Sequence, residues 1–399
     1  MPEQTLSLCM ITRDEEDSLE RCLRVIRPIA SEIIIVDTGS KDKTVEIASK
    51  FDAKIIHFNW NNNFSEPRNL AIKHAISEWI LVLDADEFIS KEDYLYLKSL
   101  INNTFEDAFS FNIHTYTDKL TYNWQPNQAD NQFGHGFSGY EKSMMIRLFR
   151  NRKGIFFKDI FNEYPVYSGD IKIQANKSGI IIHHYKNLKK DSVLNERKKQ
   201  LLDSSLKKFK TIPSDSEALL SAGIQYFENN IFEKAIKMFD KCLRYNSKNE
   251  LALFYNGAAN SKLGQIIKAE KNLKNLLEIN PSANVFAMLG CVYMESGECE
   301  KAIESFNSAI KFDPDHLLAI NNMGVIYTRK RLHQKSIETF RKAIDINPYF
   351  LEAKGNLAAE YERNADWLNA FNTYKDLLLS SPKSITPYES RLKTIEQYI

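Results

Sequence analysis

Residues 283–316 read ANVFAMLGCVYMESGECEKAIESFNSAIKFDPDH, and residues 317–350 read LLAINNMGVIYTRKRLHQKSIETFRKAIDINPYF. Laid one over the other, the two stretches agree in the spacing of their small, large and helix-stopping residues. The same register extends outward to segments starting at Ser216, Glu250 and Leu351. Position 8 is Gly223, Gly257, Gly290, Gly324 and Ala358, and position 20 is Ala235, Ala269, Ala302, Ser336 and Ala370. Position 24 is Phe239, Leu273, Phe306, Phe340 and Tyr374, and position 32 is Ser247, Pro281, Pro314, Pro348 and Pro382. Small residues at 8 and 20 allow two helices to approach closely. The large residue at 24 is expected to fill the space between neighbouring pairs, and the proline near 32 ends the second helix. The spacing predicts five stacked helix pairs over residues 216–384, closed by a capping helix over 385–399.

Upstream of the repeats the pattern changes to short apolar runs alternating with helical segments. Residues 6–11, Glu32–Val36, Lys54–Phe58 and Trp79–Leu83 read as strands. Residues Asp17–Ile26, Lys41–Lys50 and Arg68–Ala75 read as helices, with a polar loop over Asn59–Pro67. This order implies an α/β domain built on a parallel sheet covered by helices on both faces, whose ligands sit beyond the carboxyl ends of the strands. Three acidic clusters fall at such ends: Asp14-Glu15, Asp37-Thr38 and Asp84–Glu87. Like charges gathered on one rim require neutralisation. Asp42 or Ser40 alone could simply be a helix N-cap. Asp84 and Asp86 follow a very apolar run. If that run continues extended, both point to one side, and two hard oxygen anions there suit Mg²⁺ or Mn²⁺ with substrate phosphates as further ligands. The domain has neither G-x-G-x-x-G nor G-x-x-x-x-G-K-[ST], so a dinucleotide fold and a P-loop are unsupported.

Bulk properties narrow the classes further. A hydrophobic share of 43% over 399 residues is enough for two packed domains. The formal charge of +1 argues against a nucleic-acid binder. No apolar run reaches the roughly 18 residues that span a bilayer. The start, Met1-Pro2-Glu3-Gln4, lacks the features of a signal peptide, so a cytoplasmic protein is expected. The five cysteines form no CxxC pair, and Cys9 and Cys22 are expected to pack as small hydrophobes. Lys186–Lys210 holds nine basic against three acidic residues and reads as a basic helical linker, either a solvated helix face or a site for an acidic partner.

The 34-residue pattern resembles the tetratricopeptide repeat. The N-terminal motifs are Met10–Glu16, Ile35–Thr44, Pro67-Arg68-Asn69 and Leu83–Glu87. In that order they resemble an inverting family 2 glycosyltransferase of GT-A (Rossmann-like nucleotide-diphospho-sugar transferase) fold. The whole chain is similar to bacterial proteins that fuse such a domain to these repeats. Among them are peptide S-glycosyltransferases of the sublancin type and flagellin O-glycosyltransferases. The division implied is a GT-A domain over 1–187, a linker over 188–215, repeats over 216–384 and the cap.

Carried over position by position, the resemblance implies that Thr12 and Glu15 line the base and ribose. Asp37 would contact the uracil or ribose, Arg68 the diphosphate, and Asp84 the ribose or donor sugar. Asp86 would be the main metal ligand, with Asp84 beside it. The segment Phe157–Glu163 matches one that usually ends Val-His-Glu. Here Asn162 replaces the histidine and Glu163 keeps the carboxylate. Glu163 is the first choice for the base that takes the acceptor's proton, and Asp159 the second. His184 matches a family histidine and is either a third metal ligand or a structural residue at a strand end. Lys186 stands where relatives have glycine. The expected function is metal-dependent transfer of a hexose or N-acetylhexosamine from a UDP-sugar to a Ser/Thr or Cys side chain of a peptide or protein. The repeats would hold that acceptor or form a homodimer. The alternatives are a cell-surface polysaccharide transferase and a non-catalytic, repeat-based binding protein.

Overall fold

The computed structural model describes residues 4–127, 131–134, 136–151, 154–158, 163–168, 171–185, 206, 215–380 and 386–399. The chain divides into two compact units, Met1–Tyr116 with Lys142–Asp191, and Thr117–Glu141 with Ser192–Ile399.

The first unit begins with β1 (Leu6–Thr12), α1 (Leu19–Ile26), β2 (Glu32–Asp37), α2 (Thr44–Lys50), β3 (Lys54–His57), α3 (Ser65–His74) and β4 (Trp79–Val82). The four strands pair in parallel in the order β3-β2-β1-β4. Next come β5 (Glu87–Ile89), α4 (Lys91–Asn102) and β6 (Ala108–Thr117). The short β7 (Trp124–Pro126) belongs to the second unit, and β8 (Gly139–Arg150) leads the chain back. β9 (Ile155–Lys158), β10 (Tyr164–Tyr167) and β11 (Ile171–Lys172) form a small antiparallel sheet, and β12 (Asn176–His184) closes the unit. The main sheet is mixed. It extends past β4 through β8, β6, β12 and β5, with β4–β8 and β12–β5 antiparallel and β6–β12 parallel.

Alternation along the strands builds two cores. Leu6, Leu8 and Met10 of β1 pack with Leu19, Leu23, Ile26 and Leu97 on one face, while Cys9 packs with Val36, Val82, Ala71 and Phe157 on the other. Cys9 and Cys22 are buried and unbridged, and burial pushes both thiols well above their ordinary pKa.

Two helices start later than the sequence pattern suggests, at Leu19 and Thr44, because residues before them lace two loops together. The amide of Lys41 donates to Asp14 Oδ1 (2.7 Å), Glu16 N to Asp42 Oδ2 (3.0 Å), and Glu15 N to Thr44 Oγ1 (2.7 Å). Conversely α3 starts earlier, at Ser65, where Asn63 Oδ1 accepts from Ser65 N and Pro67 occupies the first turn.

The second unit contains five antiparallel helix pairs: α5 (Ser216–Glu228) with α6 (Phe232–Tyr245), α7 (Glu250–Lys262) with α8 (Ile266–Ile279), and α9 (Ala283–Glu295) with α10 (Cys299–Phe312). After them come α11 (Leu317–Arg329) with α12 (His333–Ile346), α13 (Leu351–Arg363) with α14 (Trp367–Ser380), and the final α15 (Thr386–Ile395). A Cβ added at Gly223, Gly290 or Gly324 would sit 2.5–2.6 Å from Phe239, Phe306 or Phe340 of the same pair. The large residue at position 24 therefore seats first on the glycine of its own pair. It also reaches the next pair, as Phe239 stacks on Tyr255 at 6.2 Å. Position 15 turns through positive φ in every pair, at Asn230, Gly264, Gly297, Arg331 and Ala365. Pro382 and most of the basic linker lie outside the described residues. Among the described residues no helix is long and apolar enough to cross a membrane.

Leu120, Tyr122, Trp124 and Phe137, placed with the N-terminal domain on sequence grounds, lie along the helix pairs. Trp124 is fully enclosed among Leu317, Leu318, Ile320, Phe350 and Ala353, and its ring lies 4.9 Å from that of His316. Asn284 Nδ2 donates to the carbonyls of Tyr122 (3.0 Å) and Trp124 (2.7 Å), and its Oδ1 lies 3.0 Å from His316 Nε2. The Tyr122 hydroxyl donates to Glu250 and accepts from Asn280. Asn347 Nδ2 donates to the carbonyl of Phe137. These partners occupy one edge of the array, where each second helix ends and the next first helix begins.

Candidate active site

The apolar strand β4 runs straight into Asp84-Ala85-Asp86-Glu87. The extended course expected there is not what forms. Glu87 N donates to Asp84 O (3.0 Å), closing a tight turn, and Glu87 Oε2 accepts from Asp84 N (3.0 Å). Within the turn the two aspartates take different partners.

Asp84 faces the arginines. Arg68 Nη2 donates to Asp84 Oδ1 at 2.8 Å, and Arg68 Nε donates to Glu163 Oε1 at 2.6 Å. Arg147, on β8, donates to Glu87 Oε1 at 2.6 Å and lies 3.8 Å from Asp84 Oδ2. Burial would raise the Asp84 pKa, but Arg68 and Arg147 hold it well below the usual carboxylate range. Burial opposes the Arg68 charge, yet Asp84 and Glu163 more than offset it. The arginines thus supply the neutralisation that clustered carboxylates need. Arg68 comes from the buried side of α3, and the next residue, Asn69, anchors the helix by bonding both Phe157 N and Phe157 O.

Asp86 faces His184. His184 Nε2 lies 3.5 Å from Asp86 Oδ2, and its Nδ1 lies 3.1 Å from Thr115 Oγ1. Tyr185 N donates to the Asp86 carbonyl, pinning the end of β12 to the turn. Burial lowers the His184 pKa, but the Asp86, Glu87 and Asp84 charges outweigh it and raise it. Burial likewise raises the Glu87 carboxyl, against the pull of Arg147. The neighbouring His183 has a different part. It is packed against Tyr116, whose hydroxyl lies 2.7 Å from Nδ1, and burial chiefly pushes its pKa down to about 3.

Three carboxylates (Asp84, Glu87 and Glu163) meet two guanidinium groups, and the fourth, Asp86, lies beside His184. Among the described residues no three His, Cys, Asp or Glu side chains are arranged as a metal site. Of the expected ligands Asp86, Asp84 and His184, Asp84 pairs with Arg68 and lies near Arg147, while Asp86 lies beside His184. A carboxylate and an imidazole side by side fit a divalent ion that takes its other ligands from water and substrate phosphates.

Thr12 and Asp37 end β1 and β2, and Glu15 follows β1, the strand that pairs with β4. Thr12 Oγ1 is buried without a hydrogen-bond partner among the described residues. The Glu15 carboxylate accepts from Ser18 Oγ at 2.8 Å. Asp37 accepts from Gly39 N and Ser40 N (both 3.1 Å) and from the Ser40 hydroxyl, so it shapes its own loop. Asp42 accepts from Thr44 N and Oγ1 just ahead of α2, but the N-cap position is Lys43 and no side chain caps the helix. Asp159 and Asn162 lie outside the described residues. Arg147 and Glu87 received no individual role from the sequence, because their pairing spans 60 residues.

Residues 7–169 match the family described as Glycosyl transferase family 2. The N-terminal domain is a family 2 glycosyltransferase domain. Residues 290–330 and 318–350 match the TPR and tetratricopeptide repeat families, so this glycosyltransferase domain is fused to a tetratricopeptide array. A TPR repeat-containing protein of Synechococcus elongatus is 37% identical over 161 residues, covering 40% of this chain and 34% of that one. The SPbeta prophage-derived glycosyltransferase SunS of Bacillus subtilis is 38% identical over 91 residues, 22% of each chain. An uncharacterized glycosyltransferase of Rickettsia bellii is 38% identical over 87 residues, 22% of this chain and 29% of its own. The matches thus span at most about a third of these relatives. TTC0263, a TPR protein of Thermus thermophilus, is 20% identical with a TM-score of 0.39, over 46% of this chain and 99% of that one.

Proposed function

We propose that the chain is a metal-dependent, inverting glycosyltransferase that moves a hexose or N-acetylhexosamine from a UDP-sugar to a Ser/Thr or Cys side chain of a peptide or protein. The observation that carries this reading is the arginine-locked acidic turn at the carboxyl end of β4, with Asp86 and His184 set side by side. It lies in a family 2 domain, where nucleotide-sugar donors are expected.

In this reading Thr12, Glu15 and Asp37 line the base and ribose. Asp86 and His184 hold Mg²⁺ or Mn²⁺, which when bound supplies positive charge to the leaving diphosphate. Asp84, tied to Arg68 and Arg147, sets the guanidinium of Arg68 in place. Arg68 Nη1, buried and without a partner among the described residues, is left for the diphosphate. Glu163 accepts the proton of the acceptor hydroxyl or thiol as that oxygen or sulfur bonds to the anomeric carbon and the diphosphate leaves from the opposite face. Asp159 is the second choice for the base. The acceptor would use array surface other than the edge already covered by residues 117–141, and homodimerisation through the repeats is compatible with the same surface.

The test is donor turnover with uridine diphosphate glucose, galactose and N-acetylglucosamine, with and without a chelator. Asp86→Ala is expected to lose on the order of 10²- to 10³-fold in rate; near-normal turnover would refute the metal assignment. Glu163→Gln should retain donor binding while transfer collapses. Intact-mass analysis of candidate peptides separates a protein acceptor from a glycan.

A further inference from the structure

We propose that Thr115 is a positioning residue of the metal site: its hydroxyl accepts the Nδ1–H of His184, which leaves Nε2 as the nitrogen that meets the ion beside Asp86. The inference rests on the functional reading above, in which Asp86 and His184 hold Mg²⁺ or Mn²⁺.

Sheet register brings the two side chains together. β12 lies between β6 and β5, and His184 stands in register with Thr115 on β6 and Glu87 on β5. Neighbours in register share a face, and Thr115 Oγ1 meets His184 Nδ1 at 3.1 Å. The other ring nitrogen, Nε2, lies 3.5 Å from Asp86 Oδ2. That is longer than the roughly 2.7–3.2 Å of a hydrogen bond. It is within the ~4.2 Å that can separate two atoms each bonded to one ion at about 2.1 Å. A neutral imidazole has one N–H and one lone pair, and the partner of one nitrogen decides what the other can bind. A hydroxyl can take either part in a hydrogen bond. Beside an ion at Nε2 it accepts, because the ring's lone pair is then committed to the metal and the proton sits on Nδ1. Threonine suits this part, since its branched Cβ restricts the hydroxyl to few directions. Partners of this kind fix the orientation of metal-binding histidines.

The adjacent histidine is an internal contrast. His183 also has a hydroxyl at Nδ1, that of Tyr116 at 2.7 Å. Alternation along β12 and β6 turns this pair to the opposite face, where the His183 ring stacks with Phe88 and Tyr116. The Thr115–His184 pair is the one that faces Asp86.

The experiment is Mn²⁺ titration of the full-length protein, with and without uridine diphosphate, read by the electron paramagnetic resonance signal of free Mn²⁺. Thr115→Val keeps the shape and removes the hydroxyl, and it should weaken Mn²⁺ binding by about 10- to 100-fold. Thr115→Ser, which restores a hydroxyl, should recover most of that loss. Tyr116→Phe, on the other face, should leave Mn²⁺ binding unchanged. Undiminished binding in Thr115→Val, no recovery in Thr115→Ser, or an equal loss in Tyr116→Phe would each overturn the proposal. A second measurement needs no variant at Thr115. With Mg²⁺ and uridine diphosphate at saturation, nitrogen-15 spectra of the histidine rings should place the His184 proton on Nδ1, its signals being assigned by their loss in His184→Gln. A proton on Nε2 would refute the proposed role. If the natural protein bound no Mn²⁺ in either condition, the metal-dependent reading itself would fall, and the role of Thr115 with it. Binding that survives Thr115→Val would leave that reading standing and strike only the proposal.

Discussion

Replacing Trp124 with alanine tests whether residues 117–141 are an integral part of the helical unit. Trp124 is 1% exposed, lies 4.9 Å from the His316 ring, and is walled by Leu317, Leu318, Ile320 and Phe350. A buried indole removes on the order of 200 Å² from water. At about 25 cal/mol per Å² that amounts to ~5 kcal/mol. Truncations of this size measure about 3–5 kcal/mol once partial collapse of the site is allowed. The carbonyl that accepts from Asn284 is backbone and survives the change. The loss is therefore packing, not hydrogen bonding. Unfolding in urea, followed by the far-ultraviolet helical signal, should show a midpoint lower by about 1–2 M for a slope of 2–3 kcal/mol per M. Leu368→Ala serves as the comparison: it lies on the same array, is 59% exposed, and should shift stability by less than about 0.5 kcal/mol. If Trp124→Ala behaved like Leu368→Ala, residues 117–141 would not be held by the array, and the division into units would be wrong.

Four other outcomes follow from the same structure. A chain ending at Phe209 strips the packing partners from Leu120, Tyr122 and Trp124, so light scattering should show aggregation; a monodisperse protein with full transfer to its acceptor would show the array to be dispensable. Gly290→Ala gains up to about 1 kcal/mol in helix propensity, but its new methyl meets Phe306 at 2.5 Å. With overpacking costing about 1–3 kcal/mol, thermal unfolding should move to lower temperature. Ala365 sits at φ +55 in the turn between α13 and α14, so Ala365→Gly should stabilise by roughly 0.5–1 kcal/mol, readable in the same thermal scan. Burial pushes the His316 pKa down to about 4, against a weaker raising effect from a backbone hydrogen bond. The unfolded chain binds that proton first, at about 6.5. Stability should therefore fall as pH drops from about 6.5 to 4, and the slope of unfolding free energy against pH should flatten in His316→Asn.

Much of the fold was legible because short-range rules govern it. The repeat register is readable from Gly290 and Phe306 alone, since only a residue without a side chain leaves room for a ring one helix away. The strand ends were readable because β1, β2 and β4 are apolar up to the residue where the chain turns polar. The conformation of Asp84–Glu87 was not. Whether it runs on extended or turns depends on Glu87 bonding back to Asp84 N, and that in turn on Arg147, 60 residues later, drawing the other Glu87 oxygen. The positive-φ turn at position 15 was hidden because Asn230, Arg331 and Ala365 share it with only two glycines.

What the sequence by itself determined is therefore local and periodic: five helix pairs, four parallel strands, and the acidic residues at their ends. Only the tertiary structure decided which charges pair and which segment belongs with which core. Arg68 is shared by Asp84 and Glu163, which approach it from 16 and 95 residues away. Residues 117–141 sit between two strands of the sheet in sequence, yet Trp124 is buried by side chains about 200 residues further on. Periodicity reports which face of an element is apolar, but not what covers it. The burial of a ring and the pairing of a buried charge are settled only when distant elements compete for the same space.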